Sequence, residues 1–412
     1  MIPEVPDPTR QEGAAALLDA FLRDTGVAGP GPPRRYLWTD AFAVCTLLEL
    51  DRLGWRPGLP GESRGYRELA RVLVAQVHEV LGSHRPDDPR RGPLSGLPGA
   101  EAARHPTAGG LRIGKPLPER PAGVPADPGE EWDRDGQYFH YLTRWMHALL
   151  RMAEAEGDPD PLRWALELAR AAWLGFRRSD GQGPHLAWKM SIDLSRPLVE
   201  GAGRHDPLDG FITVRTLLAA AERVPGMASP TLVRELDEAA REMAAMAGIR
   251  TGRGWATEDP LGLGGLLTDA WRVLQLVIAG AEPPGSDLLR HLLDAAWAGL
   301  DALAGSRHLE RAPERRLPFR EIGLAIGLHA VERMRAAVEA PGVPTVAPEV
   351  RSRIHELADV APLSRRVEAL WLDADLHRLP GWSDHVDING VMLATSLVPD
   401  GYLSIGGTGE AA

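Results

Sequence analysis

The chain has 412 residues and a formal net charge of −11, which argues against nucleic-acid binding because a nucleic-acid interface presents a basic face. Its length fits two domains, or one large toroid or barrel. The sequence holds no run of about 18 apolar residues, so we expect no membrane helix. The N-terminus lacks the basic start and apolar core of a signal peptide, and the single cysteine, Cys45, excludes an internal disulfide and a cysteine-rich zinc site. We therefore expect a cytoplasmic protein, and the scarcity of lysine beside abundant arginine is typical of a high-GC bacterial genome.

The first third of the chain predicts three helices and one long irregular segment. Residues 12–23 carry apolar side chains at helical spacing. Trp38–Leu53 is apolar nearly all round, and residues 64–81 form its amphipathic partner. Residues 82–130 are rich in Pro and Gly, and a segment of this length is expected to be a lid, a binding loop or a disordered insertion.

The same alternation of an apolar and an amphipathic helix continues to the C-terminus, with a second long connection at 178–206. Strand signals are nearly absent, which favours an all-α fold. The helix spanning 348–371 is expected to break near Pro362. Counting residues 12–23 as the last outer helix, six inner and six outer helices would close into a single (α/α)6 toroid domain over residues 1–412. The remaining predicted helices are Gln137–Glu154, Pro161–Arg177, Pro207–Arg223, Pro230–Met246, Leu261–Ile278, Ser286–Leu303, Pro318–Met334, Pro348–Trp371 and Asp387–Leu397.

Each apolar helix begins after a turn rich in Trp, Asp, His, Gly or Pro. In a toroid these openings meet at one mouth, where helix N-termini present free N–H groups and a partial positive charge that favours acidic side chains. Helix capping alone explains any single acid there, but six acidic openings at one mouth predict a binding site. The openings are Trp38-Thr39-Asp40, Asp135-Gly136-Gln137-Tyr138, His205-Asp206-Pro207-Leu208-Asp209-Gly210, Glu258-Asp259-Pro260-Leu261-Gly262, Pro318-Phe319-Arg320-Glu321 and Asp384-His385-Val386-Asp387-Ile388-Asn389.

Over residues 12–405 the chain resembles the six-hairpin glycosidase-like superfamily of (α/α)6 toroids. The resemblance is carried by these openings, above all Trp38-Thr39-Asp40 and Trp132-Asp133-Arg134-Asp135-Gly136-Gln137-Tyr138. It implies a glycan site at the N-terminal ends of the inner helices, without assigning an acid or a base. Lanthionine-cyclase-like toroids need zinc-binding cysteines, which this sequence lacks.

Glycoside hydrolysis by acid/base catalysis requires two carboxyl groups about 5–10 Å apart. Asp135 is the strongest candidate, because it follows Trp132 at a turn and offers a carboxylate beside a stacking surface; capping of the next helix is the structural alternative. Asp40 and Glu258 are further candidates. Glu321 lies one turn into a very apolar helix, where burial would raise its pKa, unless Arg320 or another arginine pairs with it.

Several other residues are expected to bind substrate, an oligosaccharide or glycoconjugate. Indoles stack on the apolar faces of sugar rings, and polar side chains in the openings and long loops would contact hydroxyls or an acidic substituent. Gln137, His140 and Tyr141 are expected to share one helical face. We expect no metal, no cofactor, no nucleic acid and no membrane partner, and the oligomeric state stays open. The expected binding residues are Trp38, Gln137, Tyr138, His140, Trp188, Lys189, Asp193, His205, Asp209, Trp255, His385 and Asp387.

Two alternatives to hydrolysis remain open. The sugar 2-epimerase toroids use paired histidines and an arginine; the histidines that keep this reaction possible are His140, His185, His329 and His385, and His140 with His385 would transfer the protons. The other alternative is a glycan-binding or scaffold toroid without catalysis. In that protein the acids of the mouth would all be paired with arginines, or residues 82–130 would plug the mouth.

Overall fold

A computed structural model describes residues 7–181, 183–252, 254–281, 287–341, 343 and 346–406. The described chain is mostly helical with a few short strands, which confirms an all-α protein. It divides into two compact units. Unit 1 comprises the described residues within Met1–Phe21, Glu49–Pro60 and Gly248–Ala412, and unit 2 comprises those within Leu22–Leu48 and Gly61–Ala247. The single domain over residues 1–412 stays a prediction.

Unit 2 is built on two pairs of helices that follow each other in the chain. Helix α6 packs against α7 and α8, and α8 packs against α9. Its strands form two short antiparallel pairs, β1 with β4 and β2 with β3. Helices α1 (Pro8–Asp24) and α2 (Leu37–Arg52) each contribute residues to both units. The other elements of unit 2 are α3 (Tyr66–Leu81), α4 (Gly99–Arg104), α5 (Pro128–Glu131), β1 (Gln137–Tyr138), α6 (Phe139–Glu156), α7 (Asp160–Phe176), β2 (Arg177–Asp180), β3 (Gly183–Leu186), β4 (Lys189–Met190), α8 (Asp206–Glu222) and α9 (Pro230–Ala247).

Unit 1 is centred on α12, which packs against α10, α13, α14 and α16. The contact with α10 is close because glycines face each other: a Cβ atom on Gly264 would lie 2.1 Å from the carbonyl oxygen of Gly323. Short 3₁₀ turns occupy His308–Glu310, Pro313–Arg315 and Leu376–Arg378. The helices are α10 (Pro260–Ile278), α11 (Leu288–Ser306), α12 (Pro318–Glu339), α13 (Pro348–Ala358), α14 (Leu363–Trp371), α15 (Pro380–Ser383), α16 (Val386–Leu397) and α17 (Asp400–Leu403).

Helix α10 is the one described helix that is long and apolar enough to cross a membrane by length and composition. Two thirds of its most apolar stretch, 67%, is buried inside the protein, as expected for a core helix. It is therefore weak evidence for a membrane span.

Most helix boundaries agree closely with the sequence predictions, and the differences have physical causes. The break near Pro362 is confirmed: α13 ends at Ala358 and α14 begins at Leu363, because proline lacks the N–H that a continuous helix needs. The expectation that Gln137 begins a helix was wrong. Gln137 and Tyr138 pair with Met190 and Lys189 as strands, so α6 begins two residues later. Ser286, the expected start of the helix that becomes α11, lies outside the described residues.

Part of the segment 82–130 packs into unit 2, and its role as a lid, a binding loop or a disordered insertion stays a prediction. Leu111 and Ile113 are fully buried. The backbone of Ile113 donates to the carbonyl of Gly136 and accepts from the N–H of Leu37. The segment is therefore held against the start of α2 and against the turn that precedes β1.

Candidate functional site

Unit 2 gathers aromatic side chains at the start of α2, the start of α6 and the loop before β4. The ring centroids of Trp38 and Tyr141 are 5.2 Å apart, and those of Tyr138 and Trp188 are 5.4 Å apart. The pairing of β1 with β4 explains why Tyr138 and Trp188 are close, because Tyr138 lies opposite Lys189, the residue that follows Trp188. We call the following set the aromatic cluster: Tyr36, Trp38, Trp132, Tyr138, His140, Tyr141 and Trp188.

One side of the aromatic cluster is accessible to solvent. The side chain of His140 is 27% exposed and Trp132 is 55% exposed, whereas Trp38 and Tyr138 are buried. The hydroxyls of Tyr36 and Tyr141 are 2.6 Å apart. Burial raises the pKa of Tyr36, with the Tyr141 hydrogen bond opposing it and Asp135 adding to it. The cluster therefore offers flat apolar faces bordered by neutral hydroxyl groups, which suits a ligand that is both apolar and polar.

His140 is the imidazole of this cluster, and it lies beside a carboxylate. Its Nδ1 is 3.6 Å from Oδ1 of Asp206, which belongs to the first turn of α8, where the helix N-terminus stabilises negative charge. The Oδ2 atom of Asp206 and the Nε1 atom of Trp38 are buried and have no hydrogen-bond partner among the described residues. An unsatisfied buried polar atom costs about 1–3 kcal/mol, so a bound hydroxyl group at either atom would be stabilising.

Asp135, the strongest carboxylate candidate from the sequence, is a fully buried anchor in this structure. Its Oδ2 accepts from Nη1 of Arg112 at 2.5 Å and lies 3.5 Å from Nη1 of Arg85. Its Oδ1 accepts from the backbone N–H groups of Gly114 and Gly136, each at 3.0 Å. Asp135 is therefore bonded on both of its oxygens to groups of the protein itself, which makes it a structural link within unit 2.

Asp40 and Asp209 of unit 2 are also paired with arginines. Oδ1 of Asp40 is 3.4 Å from Nη1 of Arg35, and its Oδ2 accepts from the backbone N–H of Tyr36 at 2.9 Å. Oδ1 of Asp209 accepts from Arg144 at 2.9 Å, and its Oδ2 accepts from the hydroxyl of Thr143. Asp40 thus caps the start of α2, while Asp209 joins α8 to α6.

The other two carboxylate candidates, Glu258 and Glu321, belong to unit 1. Glu258 is exposed to solvent. Glu321 is fully buried and accepts from Nε and Nη2 of Arg316 at 2.7 and 2.6 Å, and from Nε1 of Trp371 at 2.9 Å. The structural alternative for Glu321, a salt bridge to an arginine, is therefore present, with Arg316 as the partner in place of Arg320.

The expected polar binding residues of unit 2 mostly bond to the protein itself. Gln137 lies on β1 and not on the helical face expected for it with His140; its amide group bonds to three backbone groups, at Gly109, Leu111 and Ile192. Nζ of Lys189 donates to the carbonyl and side chain of Glu131 and to the carbonyl of Arg134. These three bonds use all the donors of its ammonium group.

Two further binding candidates of unit 2 lie in its loops. Asp193 contacts Arg90 at 2.9 Å. Burial would raise the pKa of Asp193, but hydrogen bonds from Ser195 and Ser191 lower it to about 2. His205 is half-buried and precedes α8.

The remaining expected binding residues belong to unit 1. Trp255 is buried with its ring edge-on to His291. His385 is exposed and edge-on to Phe319, and Asp387 is half-buried in the first turn of α16. They form no part of the aromatic cluster of unit 2.

Three residues at the cluster are not among the site residues expected from the sequence. Asp206 lies in a recognised opening, but Asp209 was chosen in its place. Tyr36 precedes the first opening by two residues. Lys115 lies in the irregular segment 82–130, and its Nζ is 5.3 Å from the centroid of the Tyr36 ring. The scarcity of lysine in the sequence was a signal that could have drawn attention to Lys115.

Comparison with known proteins adds no assignment to this site. No protein family matches the chain, and no curated protein matches it. Among the described residues, no group of three or more His, Cys, Asp or Glu side chains is placed to hold a metal ion.

Proposed function

We propose that this protein is a carbohydrate-active enzyme of the (α/α)6 toroid type, with its site at the aromatic cluster of unit 2. The observation that carries the proposal is the aromatic cluster around His140, which is partly open to solvent at His140 and Trp132 and lies beside Asp206. Aromatic ring faces suit the apolar faces of a sugar, while the unpaired atoms of Trp38 and Asp206 suit its hydroxyl groups. Fold alone does not assign function, so the site supplies the argument.

The packing within each unit supports the toroid part of the proposal. In unit 2 the apolar helices α6 and α8 are neighbours, and each packs against the amphipathic helix that follows it. In unit 1 the same relation holds for α10 with α11 and for α12 with α13, and α10 and α12 are neighbours. An experimental structure tests the arrangement: six inner helices around one axis are expected, and any other arrangement would refute it.

The site geometry favours proton transfer by an imidazole. His140 is partly exposed, and the carboxylate of Asp206, 3.6 Å away, would orient its imidazole. This chemistry belongs to the sugar isomerase or epimerase alternative. In this structure the residue next to His140 is Asp206 and not a second histidine. Pairing of His140 with His385 stays a prediction, because the two residues belong to different units.

Glycoside hydrolysis remains within the proposal, with a different set of carboxylates. It needs one carboxyl group that carries a proton and a second that is ionised. Asp40, Asp135 and Asp209 are held by arginines. The unpaired Oδ2 of Asp206 makes this residue the carboxylate that we would assign to the reaction.

Glycan binding without catalysis is the second candidate function. The arginine pairing of Asp40, Asp135 and Asp209 is the observation in its favour, because a toroid without catalysis is expected to have acids paired with arginines at its mouth. Asp206 is the exception, since among the described residues its ion-pair partner is the imidazole of His140 and not an arginine. The two functions therefore differ in what Asp206 and His140 do.

A product screen separates these outcomes. Purified protein is incubated with a panel of mono- and oligosaccharides, and the products are followed by mass spectrometry and by chromatography that resolves isomers. An isomer of unchanged mass supports the isomerase, and a smaller product supports the hydrolase. His140→Gln and Asp206→Asn are expected to abolish either reaction, and Glu314→Gln, at an exposed glutamate outside the candidate site, is a control expected to retain it. Binding without turnover supports the second candidate, and absence of binding contradicts both.

A further inference from the structure

The chain contains only two lysines, Lys115 and Lys189, among 46 basic residues that are otherwise arginine. Both lysines lie over tyrosine rings of the aromatic cluster. Nζ of Lys115 is 5.3 Å from the centroid of Tyr36, and Nζ of Lys189 is 5.5 Å from the centroid of Tyr138. An ammonium group near the face of an aromatic ring is attracted by the ring's negative face.

The two lysines differ in how their charge is compensated. Lys189 is fully buried and forms an ion pair with Glu131 at 2.9 Å, and its two other donors bind backbone carbonyls. Lys115 is half-buried. Within the described residues, no carboxylate lies within ion-pair distance of the Lys115 ammonium group, and no acceptor binds it. It is thus a partly desolvated cation whose only described partner is an aromatic ring.

The backbone around Lys115 is held firmly in place, so its position is built into unit 2. The neighbouring N–H of Gly114 donates to Asp135 at 3.0 Å, and that of Lys115 lies 3.4 Å from the same oxygen. Arg112 anchors the carboxylate from the other side. Asp135 therefore acts as a positioning residue that fixes the turn carrying Lys115. The charge of Asp135 is compensated by the arginines and not by Lys115.

Electrostatics around Lys115 agree with a cation that lacks a counter-ion. Burial lowers the pKa of Lys115, and the more distant charges of Asp133 and Asp135 only partly oppose this. A bound anion would therefore stabilise the protonated amine. Such charge-assisted hydrogen bonds are stronger than those between neutral groups.

We propose that Lys115 binds an anionic group of the ligand, and that the aromatic cluster selects carbohydrates that carry a carboxylate, such as uronic acids. This inference rests on the proposed carbohydrate site and adds its substrate class. Lys115 lies over the Tyr36 ring, and the Tyr36 hydroxyl is bonded to that of Tyr141. An acidic substituent would therefore contact Lys115 while the sugar ring lies on the neighbouring rings.

Calorimetric titration with matched sugar pairs tests this selection. The probes are digalacturonate against galactobiose, and cellobiouronate against cellobiose, with acetate and inorganic phosphate as the anions alone. We expect the acidic sugar of a pair to bind at least about tenfold more tightly, because a hydrogen bond to a charged group is stronger than one between neutral groups. Lys115→Met should remove the preference without weakening the neutral sugar, and Lys115→Arg should keep most of it. Arg311→Gln, which removes an exposed positive charge in unit 1, is the matched control and should change neither affinity.

Acylation of lysine, read by mass spectrometry of the peptides, gives a second readout on the same samples. With only two lysines in the chain, the Lys115 peptide reports the site directly. Lys189 should stay unreactive while the protein is folded, because its three donors are bonded. Acidic sugars are expected to slow acylation of Lys115, whereas neutral sugars should do so far less.

The outcomes separate this inference from the proposed function. Equal affinity for acidic and neutral sugars, unchanged in Lys115→Met, would overturn the inference and leave the carbohydrate site intact. Protection of Lys115 by acetate or phosphate but by no sugar would keep an anion site and refute the carbohydrate proposal. Absence of binding and of protection by every probe would overturn both.

Discussion

Replacing Asp135 by asparagine removes the charge that two arginines of unit 2 share. The wild-type carboxylate is fully buried and lies 2.5 Å from Arg112 and 3.5 Å from Arg85. Asparagine can still accept the two backbone N–H bonds through its oxygen. Its amide nitrogen, however, would face the guanidinium of Arg112, donor against donor. The variant therefore leaves a buried arginine without its counter-ion.

Breaking a buried ion pair by removing one partner costs about 3–5 kcal/mol, and we expect the Asp135→Asn variant to lose stability in this range at pH 7. The assay is urea denaturation followed by tryptophan fluorescence. Asp87→Asn is the matched control, because Asp87 also pairs with Arg85 but its side chain is 52% exposed. Solvent screens that pair, so its loss should cost less than about 1 kcal/mol.

A double-mutant cycle with Arg112→Met checks the cause. If the lost stability comes from the unpaired charge of Arg112, the cost of Asp135→Asn should fall by about 1.5 kcal/mol or more in the Arg112→Met background. The reasoning is refuted if Asp135→Asn costs less than about 1 kcal/mol and yet abolishes a demonstrated activity. That result would restore Asp135 as a catalytic carboxylate.

Three further predictions concern stability. Burial would lower the pKa of His329, but hydrogen bonds to two glutamates raise it above 6.5. The charged imidazole therefore stabilises unit 1 below pH 6.5, and this contribution is lost as the pH rises through the raised pKa. Over that rise the wild type should lose stability relative to His329→Gln. Burial lowers the pKa of His78 to about 3, so the stability present above pH 6.5 should be lost progressively towards pH 3, and NMR titration of the imidazole should find it neutral at pH 5. Gly114 has φ +92, and a Cβ there would lie 2.2 Å from the carbonyl oxygen of Arg35; Gly114→Ala should therefore cost at least about 1 kcal/mol more in urea denaturation than Gly61→Ala, which has φ +78 but no neighbour within 4 Å. An equal cost at the two glycines, or a His329→Gln difference that is flat with pH, would contradict these assignments.

The helices could be predicted because their signals are local. Apolar periodicity marks α6, α8, α10 and α12 within a few residues, and proline marks the break between α13 and α14. Two-residue strands such as β1 have no such signal. Gln137 was expected in a helix because its pairing partner, Met190, lies 53 residues further along the chain.

The site was predictable only in outline. The openings and the long connection 178–206 pointed to Trp38, His140 and Trp188. These residues do belong to one cluster, in which Tyr138 contacts both His140 and Trp188. The partners of the acids could not be predicted, because Arg85 and Arg112 lie in the irregular segment 82–130 and reach Asp135 across 50 and 23 residues of chain. Spacing along a sequence cannot show which carboxylate an arginine will neutralise, and that pairing decides which acids can transfer protons.

The central claim is that the aromatic cluster of unit 2 holds a carbohydrate, and a crystal structure with the tightest-binding sugar of the panel tests it most directly. The sugar ring is predicted to lie within ~4 Å of the Tyr141 or Trp38 rings, with a hydroxyl bonded to His140 or Asp206. An acidic substituent is predicted to contact Lys115. A sugar bound elsewhere, with these side chains in contact only with protein, would contradict the claim.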